Sequence, residues 1–355
     1  MKTNLSRYTV AFSDLSWSSV FPSDPASSYK APLFPQAHQV GTYLETYSAR
    51  FGLDSVLKLN KRVVKAKLDK NVGSWEITTQ DTISGQTYRS NFDYLIIASG
   101  FFDKPGRSFD PSPGKSMTNI QHTSRFRTLS SLTKEPGKIA VIGGGISGAE
   151  AAANAAFQIS NAIAKSDTLK AAHASSKIYH VVNRPLYLLP RYLPHFPGHS
   201  HVEQSDPAPE FLPLDLILYN LSRRGDDEIT AATTTVSPEK ARKGHEFLRA
   251  LLGGDQSDLG HPELVYKGGQ TKYPGYTGIT DTYAEFVRSG FIVPVRGWVD
   301  QVEQHKDEPI FDILLKQYDP WYHAQAKEPT VGSLKLYRDI ALLTVPRQPL
   351  LFAMW

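Results

Sequence analysis

The 355-residue sequence contains no cysteine, and this absence excludes several kinds of chemistry at once. It rules out disulfides, thiolate metal ligands and a cysteine nucleophile, and it is compatible with a reducing compartment. Long apolar runs are missing too. No run reaches the roughly 18 residues that a membrane-spanning helix needs, and the first residues lack the apolar core of a signal peptide. We therefore expect a soluble, cytoplasmic protein.

A strong charge of either sign is also lacking. The net charge is +4, from 39 Lys and Arg residues against 35 Asp and Glu residues. The basic residues are scattered and form no stripe along the chain, so we expect no nucleic-acid partner. The sequence shows no interpretable Ser-His-Asp constellation or metal-ligand spacing, so we expect no metal. A hydrophobic content of 40% and a charged content of 21% are typical of a globular enzyme.

One motif stands out, "KIAVIGGGISGAEAA" at residues 138–152. It predicts a strand, a tight turn and a helix. Gly143, Gly145 and Gly148 fill the three glycine positions of G-x-G-x-x-G, which permit the tight turn, the approach of a pyrophosphate and the close packing of helix and strand. Ser147 lies in the first helical turn, whose free N–H groups face such phosphates. The alternative is a closely packed turn that binds no ligand.

The next predicted strand indicates which dinucleotide would bind. The segment "KIYHVVNR" (177–184) ends in Asn183 and Arg184. An NAD site usually carries Asp or Glu here to bind the ribose 2′-hydroxyl, whereas an arginine can bind the 2′-phosphate of NADPH with several donors. The sequence therefore favours NADPH over NADH. The alternative is that Arg184 is a solvated residue at a strand end.

The residues before this motif alternate between coil, helix and strand patterns. Residues 1–35 indicate irregular coil, and a helical pattern of apolar residues follows and stops at Gly52. Residues 55–98 predict a β-meander, whose last apolar run, Tyr94–Ala98, is typical of a strand buried on both faces. A proline-rich connection, with prolines at 105, 111 and 113, leads to the glycine motif.

The residues after the turn give a weaker pattern. An Ala-rich helix is predicted from Ala149 to about Ala164, and residues 195–280 indicate coil and short helices. The segment "TYAEFVRSGFIVPVRG" predicts a helix that stops at Gly290 and then a short strand. The last fifty or so residues show no clear periodicity.

Several segments, in the same order and spacing, resemble the flavin-containing monooxygenase family of the kind common in fungal secondary metabolism. The helix that stops at Gly52 resembles a helix of that family. The other matching segments are "TNLSRYTVAFSDLSW" (3–17), "FDYLIIASGFFDKP" (92–105), "IQHTSRF" (120–126), "VIGGGISGAE" (141–150) and "VVNRPLYLLPRYLP" (181–194). The resemblance implies an α/β fold of the two-dinucleotide-binding-domain flavoprotein type, with FAD and NADPH as cofactors.

The resemblance also implies a reaction and roles for four residues. In that family NADPH reduces FAD, the reduced flavin captures O2 as a C4a-hydroperoxide, and one oxygen passes to a small organic substrate. Asn4 matches the asparagine that positions the flavin hydroperoxide and NADP+, and His122 matches a histidine at the junction of the two nucleotide domains. Ser99 and Gly100 match a linker that passes the flavin. Read without the family, Asn4 is a turn or cap residue, and His122 is a surface or hydrogen-bonded structural residue. Ser99 and Gly100 then form an ordinary strand-ending turn.

The family's first FAD-binding G-x-G-x-x-G unit has no counterpart in this sequence. We therefore expect a partial FAD domain at 1–135, an NADPH-binding domain at 136–300 and a truncated return to the FAD domain at 301–355. The leading interpretation is a monooxygenase, and the alternative is a non-catalytic remnant that binds NADPH but not FAD. A plain NADPH reductase that uses only the central domain is a third reading.

Overall fold

The computed structural model describes residues 2–21, 32–100, 120–133, 136–164, 173–195, 210–219, 236–304, 311–317, 330–336 and 341–344. The chain divides into two compact units, residues 1–103 and 104–355. None of the helices in the described ranges combines the length and the apolar character needed to cross a bilayer. The proline-rich connection around Pro111 lies outside the described residues.

The first unit begins with an aromatic cluster built on a helix. The described part of the first unit contains the helices α1 (Trp17–Val20) and α2 (Ala37–Arg50). The ring of Tyr43 stacks on that of Trp17 with a centroid distance of 4.7 Å, and its hydroxyl donates to the carbonyl of Leu15 at 2.6 Å. Gly52 follows α2 with a φ of 63°, which glycine adopts without strain. The predicted helix and its stop are confirmed.

The predicted β-meander of the first unit is also confirmed. Its strands are β1 (Lys61–Asp69), β2 (Ser74–Asp81) and β3 (Thr87–Phe92), and they pair antiparallel in the order β1-β2-β3. Most side chains on both faces of the sheet are exposed, and among the residues of these three strands only Ile77 is buried. The sheet is therefore held by its ladder hydrogen bonds more than by a core.

The prediction of a buried strand at Tyr94–Ala98 is wrong. These residues form no strand, and Tyr94, Ile96 and Ile97 are 89%, 88% and 80% exposed. A fully buried strand needs hydrogen-bonded neighbours and apolar layers on both faces. The described residues supply neither at this segment.

The second unit is organised by a parallel sheet. Its first elements are β4 (Ile120–His122), α3 (Leu129–Leu132), β5 (Lys138–Ile142), α4 (Ile146–Ala164) and β6 (Lys177–Val182). The strand–turn–helix–strand order predicted around the glycine motif is confirmed. Further along the chain lie β7 (Tyr187–Leu189), β8 (Tyr192–His195), β9 (Glu210–Pro213), α5 (Leu214–Tyr219), α6 (Pro238–Leu252), β10 (Thr277–Ile279), α7 (Tyr283–Arg288), β11 (Ile292–Arg296), β12 (Trp298–Gln304), β13 (Phe311–Gln317), β14 (Thr330–Leu336) and β15 (Ala341–Thr344).

Strand β5 lies in the middle of this sheet. The order is β11-β6-β5-β15-β4, with every neighbouring pair parallel. Because side chains alternate along a strand, Ile139 and Val141 pack with the alanines of α4, whereas Ala140 and Ile142 pack with apolar residues of β12 and β13. The sheet is thus covered on both faces, and residues 139–142 of β5 are buried.

The described part of the second unit also contains three shorter sheets. Strand β7 pairs parallel with β10, β8 pairs antiparallel with β9, and β12-β13-β14 form an antiparallel meander. The last fifty residues, which show no clear periodicity, therefore include strands, and β15 joins the central sheet beside β5. Pairing between residues about 200 positions apart leaves no local signal in the sequence.

The interpretation of residues 195–280 as coil and short helices is wrong for α6, a 15-residue helix. Its limits are written in the sequence. The Ser237 side chain accepts from the Lys240 N–H at 3.2 Å, Pro238 occupies the first turn, and Gly253 ends the helix with a φ of 72°. These are the usual start and stop signals of a helix.

Candidate functional site

The glycine motif lies at the carboxyl end of β5, in the centre of the parallel sheet. From β5 the chain passes through α4 to β6 on one side, while β15, on the other side, comes from the far end of the described chain. A reversal of this kind opens a crevice at the strand ends, where ligands of open α/β sheets bind. The glycine turn therefore lies at the crevice, the position in which a dinucleotide binds in folds with this motif.

Gly143 begins the turn and is held at both of its backbone polar groups. Its φ of 132° falls in the region that favours glycine. Its N–H donates to the carbonyl of Val181 at 3.1 Å, and its carbonyl accepts from Nε2 of His180 at 2.8 Å. Both partners belong to β6, so the second strand fixes the start of the turn.

Gly148 is buried where the helix passes closest to this turn. A Cβ atom at this position would lie 1.9 Å from the carbonyl oxygen of Gly143 and 2.9 Å from Nε2 of His180. No other residue fits without movement of the backbone, because real Cβ atoms do not approach so closely. The close packing predicted for Gly148 is thus a contact between α4 and the carbonyl of Gly143.

The first turn of α4 presents free donors at the surface. The carbonyl of Gly145 accepts from the N–H groups of Gly148 and Ala149, so Gly145 is the N-cap residue just before the helix. Within the described residues, the N–H groups of Ile146 and Ser147 have no acceptor, as expected for the start of a helix. Ser147 is exposed, and the first turn carries no acidic side chain. The end of the helix dipole is therefore open to an anion.

Asn183 and Arg184 lie beside the turn, at the end of β6. The Oδ1 atom of Asn183 is 3.1 Å from the Cβ position of Gly144, so the amide packs against the turn. The guanidinium of Arg184 stacks on the ring of Tyr276, and burial lowers its pKa from the ordinary value. Its Nε atom is buried and has no hydrogen-bond partner in the described part of the chain. An arginine whose Nε is buried and unpaired thus follows Asn183, the residue that packs against the glycine turn.

His180 and Tyr283 form a buried pair behind the turn. The two side chains are 1% exposed each, and the Tyr283 hydroxyl lies 2.6 Å from Nδ1 of His180. Because the Gly143 carbonyl can only accept, Nε2 carries the proton, and Nδ1 then accepts from the tyrosine. Burial lowers the pKa of His180 to about 4, so the imidazole is neutral at physiological pH.

His122 lies at the same edge of the sheet as the turn. Thr344 of β15 is in register with both His122 of β4 and Ile142 of β5, so His122 and Ile142 are about 10 Å apart at the usual strand spacing. Nδ1 of His122 lies 2.8 Å from the Ser124 hydroxyl, whereas its Nε2 is buried without a partner among the described residues. Burial is the main cause that lowers the pKa of His122.

The other three predicted site residues belong to the first unit. Asn4 is partly buried in a segment whose neighbours bond to the chain before α2, through Thr3 N–H to Pro35 O and Arg7 N–H to Leu33 O at 2.8 Å each. Ser99 and Gly100 are exposed and follow no strand, and Gly100 has a φ of 70°. Their roles stay predictions.

Sequence reasoning missed several residues that form the site. His180, Tyr283 and Tyr276 were not recognised, although a histidine within the apolar run "IYHVV" is a signal, because a buried polar side chain requires partners. Gly278 was missed as well. A Cβ at Gly278 would lie 2.7 Å from the side chain of Ile146, so β10 lies against the start of α4. In the described ranges, no group of three or more His, Asp and Glu side chains could hold a metal.

Together these features define an α/β protein with a glycine turn and an open helix start at the switch point of a parallel sheet. The residues fit the pyrophosphate of a dinucleotide, because the turn has a glycine at each position of close approach and offers free N–H groups. Comparisons with known proteins agree with this class. Residues 18–185 match the family described as pyridine nucleotide-disulphide oxidoreductase.

Similar sequences are found among monooxygenases. A probable indole-3-pyruvate monooxygenase of Arabidopsis thaliana is 31% identical over 119 residues, which are 34% of this chain and 26% of that protein. A thiol-specific monooxygenase of Saccharomyces cerevisiae is 28% identical over 106 residues, which are 30% of this chain and 22% of the yeast protein. The chain thus matches about a quarter of the length of these relatives.

A solved structure shares the fold. A triple mutant of cyclohexanone monooxygenase from Rhodococcus sp. Phi1, bound to NADP+, superposes with a TM-score of 0.50 at 13% identity, over 98% of this chain and 63% of that chain. At this identity the likeness concerns the fold alone. The α/β prediction is therefore confirmed, and the two relatives named above are monooxygenases.

Proposed function

We propose that this protein is an NADPH- and FAD-dependent monooxygenase that transfers one oxygen atom from O2 to a small organic substrate. The observation that carries the proposal is the turn at Gly143–Gly148, with its open helix start at the end of β5. The similarity to named monooxygenases supports the reaction class. The finer assignments, a substrate from secondary metabolism and a cytoplasmic location, rest on the sequence resemblance and on the composition.

The choice of NADPH follows from the end of β6. The free N–H groups of α4 would bind the pyrophosphate, and the guanidinium of Arg184, which stacks on Tyr276, would bind the 2′-phosphate. Asn183 carries no charge, so it does not repel a phosphate as a carboxylate would. NADPH would supply the reducing electrons of the reaction, and this chain's residues would hold it at its pyrophosphate and at its 2′-phosphate.

The FAD part of the proposal depends on sequence resemblance alone. In the described ranges of residues 1–103, no strand–turn–helix of the dinucleotide-binding type occurs. Bound FAD would react with O2, a reaction that amino-acid side chains do not perform. We propose that Asn4, Ser99 and Gly100 contact this cofactor and that His122 lies where the two nucleotide-binding regions meet.

The proposal is tested by the absorbance of the purified protein and its response to NADPH. The monooxygenase should be yellow, its flavin absorbance should bleach when NADPH is added without O2, and the colour should return when O2 is admitted. A colourless protein that binds NADPH, even after incubation with FAD, would support the non-catalytic alternative. A protein that binds neither cofactor contradicts both readings.

A further inference from the structure

We infer that His180 and Tyr283 are positioning residues that set the orientation of the glycine turn for a pyrophosphate. The inference rests on the proposed function, because it concerns how the same site holds NADPH. Both residues are only 1% exposed, so neither presents a surface to a bound ligand. They act through the carbonyl of Gly143, to which His180 donates at 2.8 Å.

The first step of the argument is the geometry of one peptide group. In a trans peptide the C=O and the following N–H point in opposite directions. The Gly143 carbonyl is directed into the protein by His180, so the N–H of Gly144 is directed the opposite way. Within the described residues that N–H has no acceptor. His180 therefore turns a free donor towards the side on which a phosphate would bind.

The second step is that this orientation has an alternative. A glycine turn can flip a peptide group at low steric cost, because glycine allows most backbone conformations. Without a donor at His180, the partly buried Gly143 carbonyl would be unpaired, and turning it outward would regain hydrogen bonds to water. An outward carbonyl would repel a phosphate at the place where the N–H should attract it.

The third step concerns Tyr283, which fixes the state of the histidine. The tyrosine hydroxyl donates to Nδ1 at 2.6 Å, and this bond keeps the proton on Nε2, where Gly143 needs it. Tyr283 is the first residue of α7 and belongs to the core that packs against α4. One imidazole thus links α7 to β6 and to the glycine turn that follows β5.

The second unit contains a matched pair that serves as a control. Tyr187 and His245 repeat the arrangement, with the hydroxyl 2.8 Å from Nδ1 and with Nε2 2.8 Å from the carbonyl of Tyr273. That carbonyl lies outside the glycine turn. A merely structural contribution of a buried His–Tyr pair should therefore be similar at both places, whereas an effect on the pyrophosphate should be confined to His180.

The experiment measures dissociation constants of the full-length protein for two ligands by calorimetry. NADPH carries the pyrophosphate, whereas adenosine 2′-monophosphate carries only the 2′-phosphate end. We expect His180→Leu to weaken NADPH binding about tenfold or more, because the Gly144 N–H would no longer donate a charge-assisted hydrogen bond to the pyrophosphate. Adenosine 2′-monophosphate should bind within about twofold of wild type. His180→Gln, whose amide N–H reaches the position of Nε2, should recover most of the affinity.

Tyr283→Phe should weaken NADPH binding with the same ligand pattern, and it keeps the test valid if His180→Leu does not fold. His245→Leu should leave the ratio of the two affinities unchanged. Equal NADPH affinity in wild type and the folded His180 and Tyr283 variants would overturn the inference alone, as would equal weakening of both ligands. Failure of wild type to bind NADPH would overturn the proposed function and this inference together.

Discussion

Two apolar runs of this chain are similar in composition, but one is buried in a sheet and the other is exposed. "KIAVI" at 138–142 forms β5, in which Ala140 and Val141 are fully buried, whereas "YLIIA" at 94–98 forms no strand and exposes Ile96 and Ile97 by 88% and 80%. The first run has β6 and β15 as hydrogen-bonded neighbours and apolar layers on both faces. The second has neither in the described residues. An apolar run can therefore form a buried strand only where neighbouring strands and apolar layers are present to pair with it and cover it.

The most direct test of this comparison replaces one isoleucine in each run. Ile139→Ala removes a side chain that is 1% exposed and leaves a cavity beside α4, so we expect a loss of about 2–5 kcal/mol in the free energy of unfolding. Ile97→Ala removes an exposed side chain, and we expect a change within about 0.5 kcal/mol. Urea unfolding followed by circular dichroism measures both.

The comparison would break if Ile97→Ala destabilised the protein as much as Ile139→Ala does. Residues 94–98 would then be packed in solution. Hydrogen exchange of peptides from each unit assigns the loss to the unit in which it occurs, because protection reports local as well as global opening.

A second test uses the different acid sensitivities of the two units. In the packed second unit the pKa of His180 falls to about 4 from 6.5, because burial disfavours the charged imidazole. The unfolded chain therefore binds this proton at a higher pH than the folded one, so the stabilisation is complete above pH 6.5 and falls as the pH drops towards 4. The expected total loss is about 3 kcal/mol. Unfolding at intervals between pH 7 and pH 4 measures it.

The control for this prediction is His180→Gln, which should lose this part of the pH dependence. His122 and His245, whose pKa values burial also lowers, remain in both proteins and cancel in the difference. In the exposed sheet of the first unit, the Lys61 ammonium and two backbone N–H groups hold the pKa of Asp81 well below its usual value of 3.8. That contribution is lost only as the pH falls below 3.8. Identical slopes for wild type and His180→Gln would contradict the prediction.

The glycine turn shows how far the sequence could predict the site. The spacing of Gly143, Gly145 and Gly148 predicted the strand, turn and helix, because each glycine answers a local backbone requirement. The partners of the turn were not predictable in the same way. Tyr283 lies 103 positions from His180 and joins it only through the topology of the sheet. Local chemistry was therefore legible, whereas non-local pairing was not.

The same division holds for the fold. Helix α2 and the meander β1–β3 were predicted because period and turn signals lie within a few residues of one another. Strand β15 was missed, because its four residues become a strand only beside β5 and β4. Helix α6 is a different case, since its serine, proline and glycine signals were present in the sequence and were overlooked.

A third test compares two helical glycines, one in each unit. At Gly148 a methyl group would meet the Gly143 carbonyl at 1.9 Å, whereas at Gly41 in α2 it would meet nothing within 4 Å. We expect Gly148→Ala to destabilise the protein by about 1–3 kcal/mol through overpacking and to weaken NADPH binding at the displaced turn. Gly41→Ala should stabilise it by about 0.5–1 kcal/mol, the difference in helix propensity. Thermal unfolding and NADPH titration of both variants measure these effects, and equal stabilisation by the two substitutions would show that the turn is not packed against α4.

The smallest effect concerns a single charge. Arg184→Ala should weaken NADPH binding about tenfold and NADH binding much less, because the lost donors serve the 2′-phosphate. Arg89→Ala removes an exposed arginine from β3 in the first unit and should change neither affinity. Fluorescence titration with both nucleotides measures the two ratios. If Arg184→Ala weakened NADPH and NADH equally, Arg184 would act through the shape of the site, by its stacking on Tyr276, and the preference for NADPH would need another residue.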